Sequence, residues 1–347
     1  MVNPARCFVI AEAGVNHNGS AERAVELVAA AAKAGADAVK FQTFNAEDLV
    51  TEGAPRAAYQ VDRLGQGDQL SMLRALELPD SAYPRLIGKC AELGIEFMST
   101  PFDEASARML AGLGMRRLKV GSGDLTNLPL LRGFASLGLP MIVSTGMADL
   151  AEVREAVEAV TQAWARSGVR RTEHMLTLLH CTSNYPAAPA DVNLRAMRTL
   201  HTEFDLPAGY SDHTVGIEVA IGAAALGATM IEKHFTLDRT LPGPDHKASL
   251  EPDELARMVR AIRTVELALG SAEKAPAPGE IAVRDVVRRS VTTTRQIAAG
   301  ERIAAQDLAL RRPGTGIAPR DLERVVGRRA ARGLPSGTVL QWQDLEP

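Results

Sequence analysis

Eight times along the chain a short β-forming run is followed by a stretch of helical periodicity, and this alternation constrains the fold more than any other feature. The runs are CFVIAEAG, AVKFQTF, EFMSTPF, RLKVGSGD, MIVSTGM, LTLLHCTS, AGYSDH and MIEKHFT. Amphipathic segments such as Ala21 to Ala34, Ala151 to Trp164 and Ile217 to Leu226 lie between them, several closed by a Gly that can cap a helix. A strand and a helix repeated eight times predict an α/β fold, a (β/α)8 TIM barrel over residues 1–272. A doubly wound open sheet is the alternative. It requires no eightfold count, and no glycine fingerprint opens a helix here.

Such a barrel leaves residues 273–285 as a linker and 286–347 as a small second domain. At 347 residues, 46% apolar and 23% charged, the composition excludes disordered, collagenous and disulfide-scaffold classes. The first residues show no extended apolar core with a small-residue cleavage site. The longest apolar run, around Val219 to Ile231, is too short to cross a bilayer, so a cytoplasmic protein with no membrane partner is expected. Cys7, Cys90 and Cys181 lie far apart with no CxxC, which fits a reducing compartment, and Cys7 and Cys90 read as buried packing residues. Charge is uneven: from Arg284 onward the chain holds 12 of its 39 basic residues, all Arg, against 7 of its 42 acidic ones, so this part is +5 and the remainder −8. No aromatic interleaving accompanies these arginines, so an Arg-rich module docking on an acidic domain, or facing an anionic substrate, is expected rather than a nucleic-acid binder.

In a barrel of this kind chemistry gathers at the C-terminal strand ends. In order the runs present Glu12 with Asn16, His17 and Asn18; Lys40 and Gln42; Thr100; and Lys119, Ser122 and Asp124. Ser144 follows, then Thr182, Ser183 and Tyr185, then Ser211, Asp212 and His213, and last Glu232 with His234. Strand alternation puts Lys40 with Gln42 on one face, and likewise Glu232 with His234, leaving Lys233 on the other face as a structural residue. Two lysines amid Thr and Ser hydroxyls suit a phosphate together with a second anionic group such as a carboxylate. The bland alternative is that Lys40 and Lys119 only neutralise Glu12 and Asp124. His213 and His234 come from successive strands and can meet at the rim, either to hold a divalent ion with open positions or simply as hydrogen-bonded groups. Beyond the eighth run, DRTLPGPDHKASLEP carries turn chemistry and would fold back over the mouth, with Pro252, Asp253 and Glu254 opening the last barrel helix. Asp245 there reads as a turn former or a catalytic carboxylate.

Taken together, IAEAGVNHNG, AGADAVKFQTF, STPFD, KVGSGDLTNLPLL, STGMA, HCTSNYPA, GYSDHTVGIEVAIGAAALGATMIEKHFTLDR and PGPDHKASLEPDEL resemble the sialic acid synthases, which condense phosphoenolpyruvate with an N-acetylated mannose-type sugar. RRSVTTTRQIAAGERI and LRRPGTGI resemble that family's C-terminal domain, a β-clip (SAF) fold similar to type III antifreeze proteins. The resemblance implies a phosphoenolpyruvate site at Lys40, Thr100, Lys119, Ser122, Ser144, Ser183 and Ser211. It implies a metal, usually manganese with magnesium or cobalt as alternatives, at His213 and His234. It places sugar contacts at Gln42, Asp124, Tyr185 and Asp245, with Arg312 reaching in from the partner subunit of a domain-swapped homodimer. Glu12, Glu232 and Asp245 become the candidate catalytic carboxylates.

Two positions depart from the family pattern: Ser183 stands where an asparagine contacts phosphoenolpyruvate, and Asp124 where a glutamate follows the GSG turn. The long second loop, Thr51 to Gln69 with APRAAYQ, resembles the legionaminic acid branch. The expected product is therefore N-acetylneuraminate or N,N'-diacetyllegionaminate, with a pseudaminate or spore-coat-type sugar synthase of the same family as the alternative. Outside that family the rivals are a metal-dependent aldolase or acyl-transfer barrel using the same His pair without phosphoenolpyruvate, and an inert barrel whose tail binds a surface or nucleic acid.

Overall fold

The computed structural model describes residues 6–56, 60–61, 65–170, 172 and 174–347. Ala57, Ala58 and Tyr59 of the loop that resembles the legionaminic acid branch lie outside the described residues, as do residues 1–5. Two compact units divide the chain, Met1–Gly270 and Ser271–Pro347.

Each of the eight runs forms a strand: β1 Phe8–Gly14, β2 Ala38–Thr43, β3 Glu96–Pro101, β4 Leu118–Val120, β5 Met141–Ser144, β6 Leu176–His180, β7 Ala208–Asp212 and β8 Met230–His234. All the paired neighbours are parallel, in the order β3-β2-β1-β8-β7-β6-β5-β4. First and last strands pair, Phe8 with Met230 through Glu12 with His234, and β3 and β4 lie against each other at the remaining seam. This closure rules out the open doubly wound sheet, whose first strand never pairs with its last. β4 is short because Ser122–Asp124 turns into a 3-10 helix at its end.

The connecting helices start and stop where the sequence says they should. Ser20 caps Ala21–Ala34 by accepting the Arg23 N–H, and Gly35 ends it at φ 84°, a left-handed conformation that glycine adopts without strain. Asp149 and Glu152 form a reciprocal capping box before Leu150–Arg166. Pro252 opens the last barrel helix, Pro252–Leu269. Among the described residues no helix is long and apolar enough to cross a membrane.

Strand alternation sorts the side chains. Outward positions such as Val9, Phe41, Val143 and Ile231 pack under the helices in the main core. Inward positions start apolar, with Ile10, Ala38, Met98, Ile142 and Leu179 filling the barrel over Phe8 and Met230. One inward position further along each strand the column becomes polar: Glu12, Lys40, Thr100, Ser144, Ser211 and Glu232. The dry layer therefore floors a polar mouth.

One outward pair breaks the apolar rule. Lys233 and Asp212, register partners on β8 and β7, form an ion pair of 2.8 Å with both side chains at 0% exposure. Lys233 also donates to the Thr214 carbonyl, while Asp212 Oδ1 accepts from the Tyr210 hydroxyl and from the Thr214 amide and hydroxyl. Lys233 faces away from the mouth, as the alternation requires.

In the second unit the stretch expected as a linker contains a helix, Pro278–Val287. Pro278 begins it, and the Glu280 carboxylate accepts the Ala277 N–H at 2.8 Å. Beyond it, β9 Ser290–Thr293 pairs antiparallel with β10 Leu308–Arg311. Single bridges such as Thr292 to Val339 and Ile297 to Leu334 complete a small coil-rich fold around Val291, Ile297, Ile303, Leu334 and Leu340.

Removing the Lys233 cation strands a buried carboxylate. Lys233→Met should therefore destabilise the barrel by about 3–5 kcal/mol in denaturant unfolding, whereas a loss below about 1 kcal/mol would show the pair to be dispensable.

Candidate active site

The polar mouth encloses a recess of about 190 Å³ at the C-terminal strand ends. Four buried charges sit on its wall. Lys40 Nζ lies 2.7 Å from Glu12 Oε2 and 3.8 Å from Glu232 Oε2, and donates to Thr100 Oγ1 at 2.8 Å. Lys119 Nζ lies 3.5 Å from Glu232 Oε1 and donates to the Val120 carbonyl. Ser211 Oγ donates to Glu232 Oε1 at 2.9 Å, and Gln42 Nε2 to Glu12 Oε1 at 3.3 Å. The lysines do neutralise carboxylates, Glu12 as expected but Glu232 in place of Asp124. Asp124 ends the turn after β4 and lines neither this recess nor its neighbour.

Burial pushes the Glu12 carboxyl up to about 7, with Lys40 working against it. For Glu232 burial also raises the pKa, but Lys119, Lys40 and the Ser211 hydroxyl outweigh it and hold the carboxyl low. Burial opposes both ammonium groups; the two glutamates overcome it at Lys40, whereas Lys119 ends below its ordinary value. Two carboxylates and two lysines form a balanced set that an incoming anion would engage through the lysines.

Hydroxyls ring the charges. Ser122 and Ser183 lie 3.3 Å apart, and Ser144 Oγ is buried with no hydrogen-bond partner among the described residues. Gly146 makes this approach possible. At φ 46° it bends the β5 turn, and a Cβ there would overlap the Ser122 side chain. Cys181 also lines the recess, its sulfur accepting the Gly146 N–H at 3.2 Å. Sequence reading did not single it out, because a lone thiol after a strand reads as packing. Burial raises that thiol's pKa, so it stays protonated at neutral pH.

The two imidazoles meet. His213 and His234 have ring centroids 5.6 Å apart, with Tyr185 stacked on His213 at 4.0 Å and edge-on to His234 at 5.5 Å. His213 Nδ1 is bonded to the Thr182 carbonyl, which fixes the tautomer and leaves Nε2 a lone pair; His234 Nδ1 is buried without a hydrogen-bond partner among the described residues. Burial lowers the pKa of both rings, His213 to about 4, so both are neutral, the form that coordinates metal. A carbonyl-oriented imidazole is also the usual outer support of a metal ligand. Among the described residues no group of three or more His, Cys, Asp or Glu converges, so the pair fits an ion that takes most of its shell from substrate and water.

A second recess, about 130 Å³, adjoins the first and shares Gln42, Tyr185 and His234 with it. Asp245 lines it, 8% exposed, so this residue is both part of the turn chemistry and part of the wall. Asn16 and Asn18 serve the loop instead of the mouth, while His17 Nδ1 accepts the Gly19 N–H. Asn16 Nδ2 donates to the Phe235 carbonyl and Ser249 Oγ, Asn18 Nδ2 donates to the Pro242 carbonyl, and Asn18 Oδ1 meets His246 Nε2 at 3.2 Å. Gln60, Pro244, Val15, Met72, Leu73 and Leu76 complete the second recess. The last three had no functional signal in the sequence, since apolar residues at helical spacing read as core. Arg312, in the second unit, is exposed and makes no hydrogen bond or ion pair among the described residues.

Residues 27–274 match the NeuB family and residues 288–346 the SAF domain. An N,N'-diacetyllegionaminic acid synthase of Legionella pneumophila is 51% identical over 98% of this chain and 95% of its own. Another from Campylobacter jejuni is 42% identical over 97% of this chain and 99% of its own. The crystal structure of an N-acetylneuraminic acid synthetase from Leptospira borgpetersenii in complex with citrate superposes with TM-score 0.70 at 35% identity, covering 81% of this chain and 92% of that one. With the closed barrel, the ring of lysines and hydroxyls and a family match over most of both units in agreement, the chain belongs to the NeuB family and carries a SAF domain.

Proposed function

We propose that this chain condenses phosphoenolpyruvate with an open-chain diacetamido-trideoxymannose and water, giving N,N'-diacetyllegionaminate and phosphate. The observation that carries the reading is the placing of two buried lysines, Lys40 and Lys119, among hydroxyls and beside two neutral imidazoles in one barrel mouth. Two full-length relatives named for that product support the choice of sugar.

In this reading Lys40 and Lys119 take the phosphate and the carboxylate of phosphoenolpyruvate, with Thr100, Ser122, Ser144, Ser183 and Ser211 adding hydroxyl contacts. The buried Ser144 hydroxyl, which has only the weak Cys181 thiol beside it, supports an acceptor arriving there. Glu232 keeps its charge and holds the two ammonium groups in place. His213 and His234 would hold a divalent ion such as manganese, which when bound supplies Lewis acidity at an aldehyde oxygen. Gln42, Tyr185 and Asp245 bind the sugar.

The methylene carbon of phosphoenolpyruvate uses its double-bond electrons to form the new bond to the aldehyde carbon, whose oxygen takes up a proton from solvent, a proton that Glu12 later returns when it is reset. Positive charge develops on the carbon bearing the phosphate, and the Glu12 carboxylate stabilises it. Water adds to that carbon and gives its proton to Glu12. Phosphate then leaves with its bridging oxygen and takes up the proton of the new hydroxyl, and the carbon becomes the ketone. A carboxyl lifted to about 7 is suited to taking that proton near neutral pH.

The proposal extends to a cytoplasmic, domain-swapped homodimer in which Arg312 of one protomer completes the sugar end of its partner's barrel. Arg288, Arg289, Arg311 and Arg312 are the arginines of the second unit that have no partner among the described residues. Arg311 pairs in register with Ser290, so they gather at one end of the β9 to β10 ladder.

Phosphate release from phosphoenolpyruvate with manganese should require a sugar and be fastest with the diacetamido-trideoxy sugar; no release with any mannose-type sugar refutes the assignment. Lys119→Met should lower kcat/KM about a hundredfold or more, since it removes one of two charges on the anion. In water labelled with heavy oxygen the released phosphate should carry no label, and label there would sink the carbon-oxygen route.

The acid side of the pH profile follows from Glu12. Its raised carboxyl pKa means that the base form is lost as pH falls through about 7, so kcat/KM should decline there. A profile flat down to about pH 5 would remove Glu12 from the proton-accepting role.

Swapping is read by mixing. Arg312→Ala and Lys119→Met should each be nearly inactive alone, while subunits of the two exchanged together recover part of the native rate. Failure to recover, with dimers formed, argues that Arg312 serves its own barrel or none.

A further inference from the structure

The second recess has two unlike walls. On the side of the mouth stand Gln42, Tyr185, His234 and Asp245, all polar. Opposite them Val15, Met72 and Leu76, at 4%, 6% and 7% exposure, form an apolar cluster separate from the main core, with Phe44 and Leu73 packed against it. Met72 and Leu73 ride on the helix Gln69–Arg74, whose first turn is capped by Asp68 and whose Arg74 pairs with Glu47 at 2.6 Å. The Ala46 N–H donates to Glu77, tying down the segment just after Leu76. This wall is held from both ends.

A recess of about 130 Å³ has several times the room one water needs, and it opens beside His234, where the aldehyde end of a sugar is assigned. Val15, Met72 and Leu76 offer no partner to a hydroxyl, and Gln60 is the one further polar side chain among the described lining residues. Among the described lining residues there is no Lys or Arg, and Asp245 is an acid, so a phosphorylated sugar end would meet a carboxylate there.

We propose that Val15, Met72 and Leu76 are specificity-determining residues that read methyl groups, whether of an acetamido substituent or of a deoxy carbon, on the part of the sugar remote from its aldehyde. The wall selects a diacetamido-trideoxy sugar over N-acetylmannosamine, which presents hydroxyls there, and over N-acetylmannosamine phosphate. This rests on the synthase reading above and adds to it the side chains that make the choice. An apolar pocket discriminates modestly between a methyl and a hydroxyl, about tenfold to a hundredfold.

The test compares kcat/KM for the three sugars at saturating phosphoenolpyruvate in the native protein, in Met72→Gln and in Val15→Thr, a swap of nearly unchanged shape. The native protein should prefer the diacetamido-trideoxy sugar over N-acetylmannosamine by about tenfold or more and use the phosphate least. Each variant should narrow that preference by about tenfold while the KM for phosphoenolpyruvate stays put, a split that general loosening of the fold would not produce. Turnover with an unaltered sugar ratio in either variant that retains the native unfolding midpoint overturns the wall alone, as does equal native use of N-acetylmannosamine or its phosphate. No phosphate release with any sugar overturns the synthase reading itself and the wall with it.

Discussion

Taking two ammonium groups and two carboxylates out of water costs several kcal/mol each unless every charge meets its opposite. Glu12, Lys40, Lys119 and Glu232 meet that condition inside the barrel, Lys40 lying between both glutamates and Lys119 beside Glu232. Much of the remaining design serves this cluster. The dry layer of Ile10, Ala38, Met98, Ile142 and Leu179 beneath it keeps water from entering through the far end. Ser211, Gln42 and Thr100 occupy the lone pairs and protons that the ion pairs leave over. Because the set is balanced, an arriving anion competes with Glu12 and Glu232 for the same lysines.

The eight strands were legible because a closed parallel barrel imposes two patterns at once, β-forming runs and a polar end on each of them. Alternation was legible too. It placed Lys40 with Gln42 and Glu232 with His234 on the inner face, and Lys233 on the outer one. What single-strand patterns could not supply was partnership between strands. Nothing in MIEKHFT names Asp212 as the counter-charge of Lys233, and nothing in KVGSGD says that Lys119 turns to Glu232 and not to the nearer-numbered Asp124. Asn16 and Asn18 looked like mouth residues because they follow a strand end. They instead bind the loop that carries Asp245. The Met72 and Leu76 wall was least legible of all, since an apolar residue facing a substrate has the same sequence signature as one facing a core.

The basic character of the second unit needed the structure for its meaning. Arg295 is spent on Asp307 and Glu301, and Arg332 on Asp344, while Arg324 pairs with Asp321 and lies with Arg328 over the Trp342 ring. These are internal fastenings of a small domain with little regular secondary structure, where side-chain bonds replace a ladder. The net charge therefore overstates what is available to a partner, and the arginines left without one at the end of the β9 to β10 ladder are the part that can act outward.

Register is the point at which fold and chemistry become one constraint. A slip of a single residue in β7 or β8 would send Ser211, Glu232 and His234 into the helix layer and bring Asp212 and Lys233 into the mouth. Hydrophobic patterning alone opposes this weakly in β8, because Glu232, Lys233 and His234 are all polar. The outward ion pair supplies the missing discrimination. Asp212 and Lys233 are satisfied against each other, the Thr214 backbone and the Tyr210 and Thr214 hydroxyls, behind the barrel wall. With that pair seated, the residues on either side of each member must face inward, so Ser211 and His213 flank one anchor and Glu232 and His234 the other. A buried salt bridge that adds little to stability over an apolar pair can still be what fixes where the site residues point.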